Sequence, residues 1–440
     1  MRQKEEIARK LASSIHYIDI GESVIAKKEI YSLIIPNFPG FIEHNGVRTP
    51  IIPQSKINLG FKKEALDIIH QCVDDILGFK HQSFGPLYCC LDDDYVKESL
   101  IKIIIDIEEN SDPNKYNLVF LKINDFFNNL DIQTFFSYVK IGNFRVTKEY
   151  DFHSFKIFPN DRENWKKYIG DENSQRNQNI LDRNLKDSSF FLSILEIQVQ
   201  AVDDKKATII TMQTATDILN ILRVLGARGI VHEGDAQLRS HDIWLVNKKT
   251  RHSFRHAGFD DPGKLGPVFD FDLFTKDNPL VVSKLQSCFN PEKSTPLERK
   301  IKNSLIWLGE SILESHLSHK LLKMIISIES LLLDSNDRGT KSYLLEERAA
   351  FLFGNNYVMR SYAADTISEA YSVRNYIVHS GDKHPIPLLL IKRLFFIALQ
   401  LNMIFLTSEK FEKFGDVLLE VKNKKFQKPV EKENQETNKT

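Results

Sequence analysis

Cysteine is scarce in this chain, with four residues in 440, at Cys72, Cys89, Cys90 and Cys288. None stands at a metal-ligand spacing, and the adjacent Cys89-Cys90 pair makes a poor disulfide framework. The reading is therefore reduced thiols in a cytoplasmic protein. Net charge is lacking too, since 59 basic side chains balance 59 acidic ones. No global field advertises nucleic acid, and any RNA contact has to come from a local basic patch. An unbroken apolar span is also missing. The most hydrophobic run, Leu388–Leu406, is interrupted by Lys392, Arg393, Gln400 and Asn402 and reads as a buried helix, with no membrane partner. The opening Met-Arg-Gln-Lys-Glu-Glu has no signal-peptide core, and no internal repeat is visible.

What is present is an ordinary globular composition, 42% hydrophobic and 27% charged, in a chain long enough for two or three domains. The expected fold class is α+β, a mixed α/β N-terminal region followed by an all-α bundle. Residues 1–180 read as mixed. Apolar periodicity predicts helices over Ala65–Leu77 and Asp94–Ile107, with short strands at Ile30–Pro36, Leu118–Ile123 and Phe144–Val146. Asp92-Asp93-Asp94 precedes a helix and reads as N-terminal capping rather than as a metal site. The polar stretch Asp171–Asp187 is expected to be a linker or long surface loop.

Residues 188–292 carry clearer strand signals. Leu195, Ile197, Val199 and Ala201 alternate with Glu196, Gln198 and Gln200, the period of a half-buried strand. A helix is expected over Ala215–Leu225, and Asp242–Val246 with Ser253–His256 as a hairpin. That hairpin concentrates Lys248, Lys249, Arg251, His252, Arg255 and His256, with Trp244 and Phe254 nearby. It reads either as an RNA-contacting ribbon or, the reading favoured here, as a solvated edge strand guarded by its charges. Gly226–Gly229 lacks the lysine of a phosphate loop.

Residues 296–412 read as helical throughout, with helices expected at Pro296–Leu313, Ser318–Leu333 and Leu344–Phe353, one or two more over Tyr357–Val378, and a last one at Pro387–Thr407. The second is apolar around most of its circumference, so it belongs at the centre. Its polar residue Glu329 needs a partner if buried, and Arg374 or Arg348 is expected to supply it. His316 and His319 read as surface histidines, because no third metal ligand is evident. Residues 413–440 drift into lysine, glutamate, asparagine and glutamine and read as a disordered tail.

The densest chemistry lies in Ala370–Gly381. Ile367, Ala370, Tyr371, Arg374, Ile377 and Val378 repeat at the spacing of a buried helical stripe. Arg374, Asn375 and His379 fall along one edge of it. Imidazole shuttles a proton near neutral pH. A guanidinium stays charged and stabilises the added charge of a phosphoryl transition state. An amide can fix either partner. Arg-x4-His recurs at Arg251–His256, so the helical context carries the signal rather than the spacing.

Arg374-Asn375-Tyr-Ile-Val-His379-Ser-Gly381, closing a helix in an all-helical region, resembles the signature of HEPN domains, in particular the ApeA-like group of prokaryotic defence proteins. Ile325-Ile-Ser-Ile-Glu329-Ser-Leu-Leu-Leu333 and Glu347-Arg348-Ala-Ala-Phe-Leu-Phe-Gly354 add to the resemblance, which spans about 297–410. It implies a helical bundle that dimerises and, in many members, cleaves RNA without a metal or other cofactor. A ribose 2′-OH attacks the neighbouring phosphate, with His379 as general acid or base, Arg374 stabilising the phosphorane and Asn375 as the polar companion. RNA, tRNA included, and a second copy of the chain are the implied partners, in antiviral defence. The alternative is a non-catalytic HEPN bundle that binds RNA or a protein, with Arg374 paired to Glu329 and His379 capping the helix.

Overall fold

The computed structural model describes residues 2–14, 18–20, 41–44, 47–50, 59–61, 63–78, 80–81, 85–86, 90–91, 93–109, 115–169, 178, 181–182, 185, 191–227, 239–247, 253–257, 268–290, 292–380 and 385–426. Two compact units emerge. One comprises Met1–Phe135, Val199–Ile210 and Asn247–His252; the other comprises Phe136–Gln198, Thr211–Val246 and Ser253–Thr440. The expected strand at Ile30–Pro36 and the turn bearing Lys248, Lys249 and Arg251 lie outside the described residues.

The first unit is chiefly helical. Its elements run α1 (Arg2–Ser14), β1 (Ile18–Ile20), β2 (Phe41–His44), β3 (Val47–Pro50), β4 (Leu59–Phe61), α2 (Lys63–Leu77), β5 (Lys80–His81), β6 (Gly85–Pro86), α3 (Asp93–Glu109) and α4 (Lys115–Asn128). The short strands form antiparallel pairs, β1 with β4, β2 with β3 and β5 with β6. One core joins Ile7 and Leu11 of α1, Ile69, Cys72 and Ile76 of α2, Leu100 and Ile104 of α3, and Val119, Ile123 and Phe127 of α4. The last three correct an expectation, because Leu118–Ile123 is helix and not strand. Its buried residues recur every four positions, a period that a six-residue window is too short to reveal.

A six-stranded sheet organises the start of the second unit. The chain continues through β7 (Gln133–Gly142), β8 (Phe144–Arg145), β9 (Tyr150–Asp151), β10 (Phe155–Pro159), α5 (Arg162–Ile169), β11 (Phe191–Ala201), α6 (Asp204–Ala227), β12 (Arg239–Asn247), β13 (Ser253–Ala257), β14 (Phe269–Asp270), α7 (Phe271–Asp277) and α8 (Pro279–Cys288). Strand order in the sheet is β13-β12-β7-β11-β10-β9. The expected hairpin forms, with Trp244 opposite Arg255, and β13 is the edge strand. This sheet draws strands from both 1–180 and 188–292, so those regions are not separate domains.

Three local expectations change here. Glu196 of β11 is buried, so the alternation fails at that position: the strand is covered on both faces there. Helix α6 starts well before Ala215, capped by Asp203, whose side chain accepts from Lys206 N at 2.7 Å. Its early buried positions are Ala207 and Thr211, too small or polar to register as an apolar stripe. Most of Asp171–Asp187 lies outside the described residues, but Leu181 is buried against Tyr138, Phe158, Trp165 and Ile194. A free linker would not pack this way.

The rest of the second unit is a helical bundle, α9 (Pro296–Leu313), α10 (Leu317–Leu332), α11 (Lys341–Phe353), α12 (Tyr357–Ser380), α13 (Leu388–Thr407) and α14 (Phe414–Phe426). The protein is thus α+β, with a sheet-bearing N-terminal part and an all-helical C-terminal part. Thr295 and Glu298 close a capping box at the start of α9, with Pro296 in the first turn. Leu297, Ile301, Leu305 and Leu308 are its buried face. Gly309 lets α9 approach α6, because a Cβ there would lie 2.1 Å from Asn220 O. Ser304 and Ser327 hydroxyls meet at 2.9 Å between α9 and α10.

α13 is the single helix among the described residues long and apolar enough to cross a membrane. Its Leu390, Ile391, Leu394, Ile397, Leu401 and Phe405 are nevertheless buried within the bundle. The polar tail expected from 413 is instead helical as far as Phe426. Val417 and Val421, four residues apart, are its buried anchors, and with Leu418, Leu419 and Phe426 exposed its apolar residues trace no single stripe to read.

Candidate functional site

Helix α12 carries the Arg374 motif, and its start is fixed by Gly354 and Asn356. A Cβ on Gly354 would meet Arg360 N at 2.6 Å, while Asn356 accepts from Met359 N at 3.0 Å. Ala363, Thr366, Ile367, Ala370, Tyr371 and Val373 are buried, seating the helix in the bundle. Burial then fades. Arg374, Asn375 and Ile377 are half-buried, and Tyr376, Val378 and His379 are exposed. Val378 was expected in the buried stripe and is 52% exposed, because the last turn of α12 runs clear of the core. Gly381, the expected helix stop, lies outside the described residues.

Arg374 Nη1 donates to Asn375 Oδ1 at 3.0 Å. Its Cζ stands 5.3 Å from the centroid of the Tyr371 ring, within range of a cation–π contact. Tyr371 and Arg374 are i, i+3 neighbours, so one helix face brings them together. The Tyr371 phenol faces Glu329 of α10. Burial first, then the Glu329 charge and a loose hydrogen-bonding contact with that carboxylate, push the phenol pKa up, while the Arg374 charge opposes them. Glu329 Oε1 is buried with no close hydrogen-bond partner.

This corrects the expected role of Glu329 as the ion-pair partner of an arginine. Among the described residues Arg374 is bonded to Asn375, not Glu329. Arg348 is committed to Asp337, reaching Oδ1 and Oδ2 at 2.6 Å each, and to Leu332 O at 2.6 Å. Tyr371, read from sequence as one more apolar position, is the residue whose ring the guanidinium overlies. Its spacing three before Arg374 was the available signal.

The other candidates are quickly placed. Lys248, Lys249 and Arg251 lie outside the described residues, and Arg255 is seen only as a backbone position in β13. His316 and His319 stack edge to face at 5.6 Å, beside Glu314. Burial pushes the Cys72 and Cys288 thiols up to about 12, which makes both inert at neutral pH.

Chemically, α12 offers a fixed guanidinium whose charge no described carboxylate neutralises, an amide that orients it, and a solvent-facing imidazole about one turn on. Such a set has the chemistry needed to bind a phosphodiester and to move a proton on it. Comparison with known proteins finds no matching family model, no similar curated protein and no similar solved structure.

Proposed function

We propose that this chain is a metal-independent endoribonuclease whose active site is built on the C-terminal end of α12, in the manner of the HEPN domains its motif resembles. The observation that supports this most is the state of Arg374. It is held by Asn375 and Tyr371 rather than by a carboxylate, so its charge is available for a phosphate.

In the proposed reaction the ribose 2′-oxygen bonds to the adjacent phosphorus as the bond to the 5′-oxygen breaks. A base takes the 2′-OH proton and an acid protonates the leaving 5′-oxygen, leaving a 2′,3′-cyclic phosphate and a 5′-OH. Arg374 stabilises the dianionic phosphorane. His379 fills one proton-transfer role, and His379 of a second copy fills the other across a two-fold interface. Exposed Tyr376 and Val378 of α12 and Leu388 and Leu389 of α13 supply apolar surface beside the motif for that interface. Structured RNA such as tRNA, in antiviral defence, is the substrate setting the resemblance implies.

The test is cleavage of total tRNA and of an unstructured RNA in EDTA by wild type and His379→Ala. Cleavage by wild type alone, with cyclic-phosphate ends and a loss in the variant of about 10²–10⁴-fold, is the expected result. Equal cleavage by both proteins overturns the role of His379. RNA binding without cleavage by either protein favours the binding-bundle alternative.

A further inference from the structure

Three aromatic rings around α11 stand in solvent. Tyr343 of α11, Tyr357 of α12 and Phe426 of α14 are 60%, 83% and 72% exposed. Each lies beside a cation that another element anchors. Tyr343, Glu347 and Phe351 recur every four residues along one stripe of α11. Lys425 of α14, next to Phe426 in the chain, donates to Glu347. The Arg360 guanidinium of α12, about one turn after Tyr357, lies over the Phe351 ring at 4.7 Å, and its Nε donates to Gly354 O at 3.1 Å. Glu420 of α14 takes Lys424 at 3.8 Å and Lys410 at 3.9 Å. Two carboxylates thus serve three lysines, and among the described residues Arg360 pairs with no carboxylate. Burial holds the Lys424 ammonium below its usual range, and the Lys410 and Arg360 charges add to that effect against Glu420.

We infer that this strip around α11 is a second RNA-binding surface, separate from the Arg374 motif. It takes an unpaired stretch of RNA, stacking bases on the rings and holding phosphates with the lysines and Arg360. The chain as a whole carries no net charge, so contact with a phosphate backbone needs a local surplus of cations, and the strip has one. An exposed ring stacks any base that is free of a partner strand, whereas a paired base keeps its faces inside the duplex. Rings interleaved with incompletely neutralised cations match the alternation of base and phosphate along a single strand. A protein-docking patch has instead an apolar centre depleted in charge. Helix α12 fixes the reach. From Tyr357 to His379 it rises roughly 33 Å, so a dinucleotide at the motif leaves the strip empty, and only an RNA of that length or more engages both.

The inference deepens the nuclease reading, on which it rests for its cleavage readout, by giving the substrate a second foothold. Binding tests it apart from cleavage. The probe is a fluorescein-labelled 2′-O-methyl-oligouridine long enough to span α12, which has no 2′-OH to attack and so reports binding alone, by anisotropy on the full chain. Tyr343→Ala combined with Tyr357→Ala should weaken binding by about tenfold or more and leave its salt dependence unchanged. Lys410→Gln combined with Lys425→Gln should flatten the slope of log K against log salt by about 0.7 per lysine. All four positions are exposed, so the folded core is untouched. In cleavage, the tyrosine pair should lose kcat/KM on a long RNA and keep it on a dinucleotide. Binding that depends on the rings, with no cleavage by wild type, keeps this surface and removes the nuclease. No binding by wild type, or binding unchanged by both pairs of substitutions, overturns the surface whatever is cleaved, and leaves the rings to a protein partner.

Discussion

Arg348 shows how much one side chain can hold. It is 6% exposed, bonds both oxygens of Asp337 and the carbonyl of Leu332, and lies over the Phe414 ring at 5.5 Å. Lys300 faces the same ring at 4.9 Å and donates to Leu333 O, so two cations cap the end of α10 while gripping α14. Arg348→Met leaves the Asp337 charge uncompensated in a half-buried site. The expected loss is about 3 kcal/mol, read from urea unfolding. The pH sign follows from the same pair. The Arg348 hydrogen bond, against the opposing effect of burial, holds the Asp337 carboxyl below the usual carboxylate range. Its stabilisation is therefore present above the unfolded value of about 3.9 and is lost as pH falls through the lower folded one. Asp337→Asn should give a shallower fall of stability with acid below about pH 4. At this scale the placement of Arg374, Asn375 and His379 on one helix was legible from their spacing. Tyr371 and the Arg348–Asp337 pair were not. A tyrosine on a buried stripe looks like any apolar residue, and an ion pair across a loop leaves no periodic trace.

Among the elements, close approach at glycine decides what can change. Gly309→Ala forces α9 and α6 apart, since the added Cβ meets backbone at 2.1 Å. A destabilisation of about 2 kcal/mol is expected. Gly415 in α14 has nothing within 4 Å of its Cβ position, so Gly415→Ala should stabilise by about 0.5–1 kcal/mol through helix propensity. Thermal melts of the two variants should fall on opposite sides of wild type. The long helices of the bundle were readable because apolar residues recur over several turns, as along α9, α10 and α13. Weakly patterned elements were not. α4 was mistaken for a strand, the early turns of α6 bury alanine and threonine, and α14 buries two valines.

Across the whole molecule, sequence blocks and compact units do not coincide. The bundle at 296–412 was legible as helical but is not self-contained. α9 backs onto Asn220 of α6 through Gly309, and Lys284 of α8 donates to Phe411 O at 3.2 Å. A fragment of residues 296–440 is therefore expected to lack a cooperative melting transition and to bind ANS, whereas the full chain melts cooperatively. A sharp transition in the fragment, by calorimetry or near-UV circular dichroism, would contradict this. Partners distant in sequence close that unit, and no window of sequence contains them together.

Phe414 has one more implication, for the order in which the protein comes into being. Domains fold as units while the chain emerges from the ribosome. The second unit begins at Phe136, yet the ring that Lys300 and Arg348 both face belongs to its last described helix. Translation delivers α12 before α14, so the corner of the bundle that Lys300 and Arg348 form stays open until Phe414 has been made. The RNA-cutting site proposed on α12 is thereby held in an unfinished bundle while that stretch of chain is still tethered to the RNA-built machine that synthesises it.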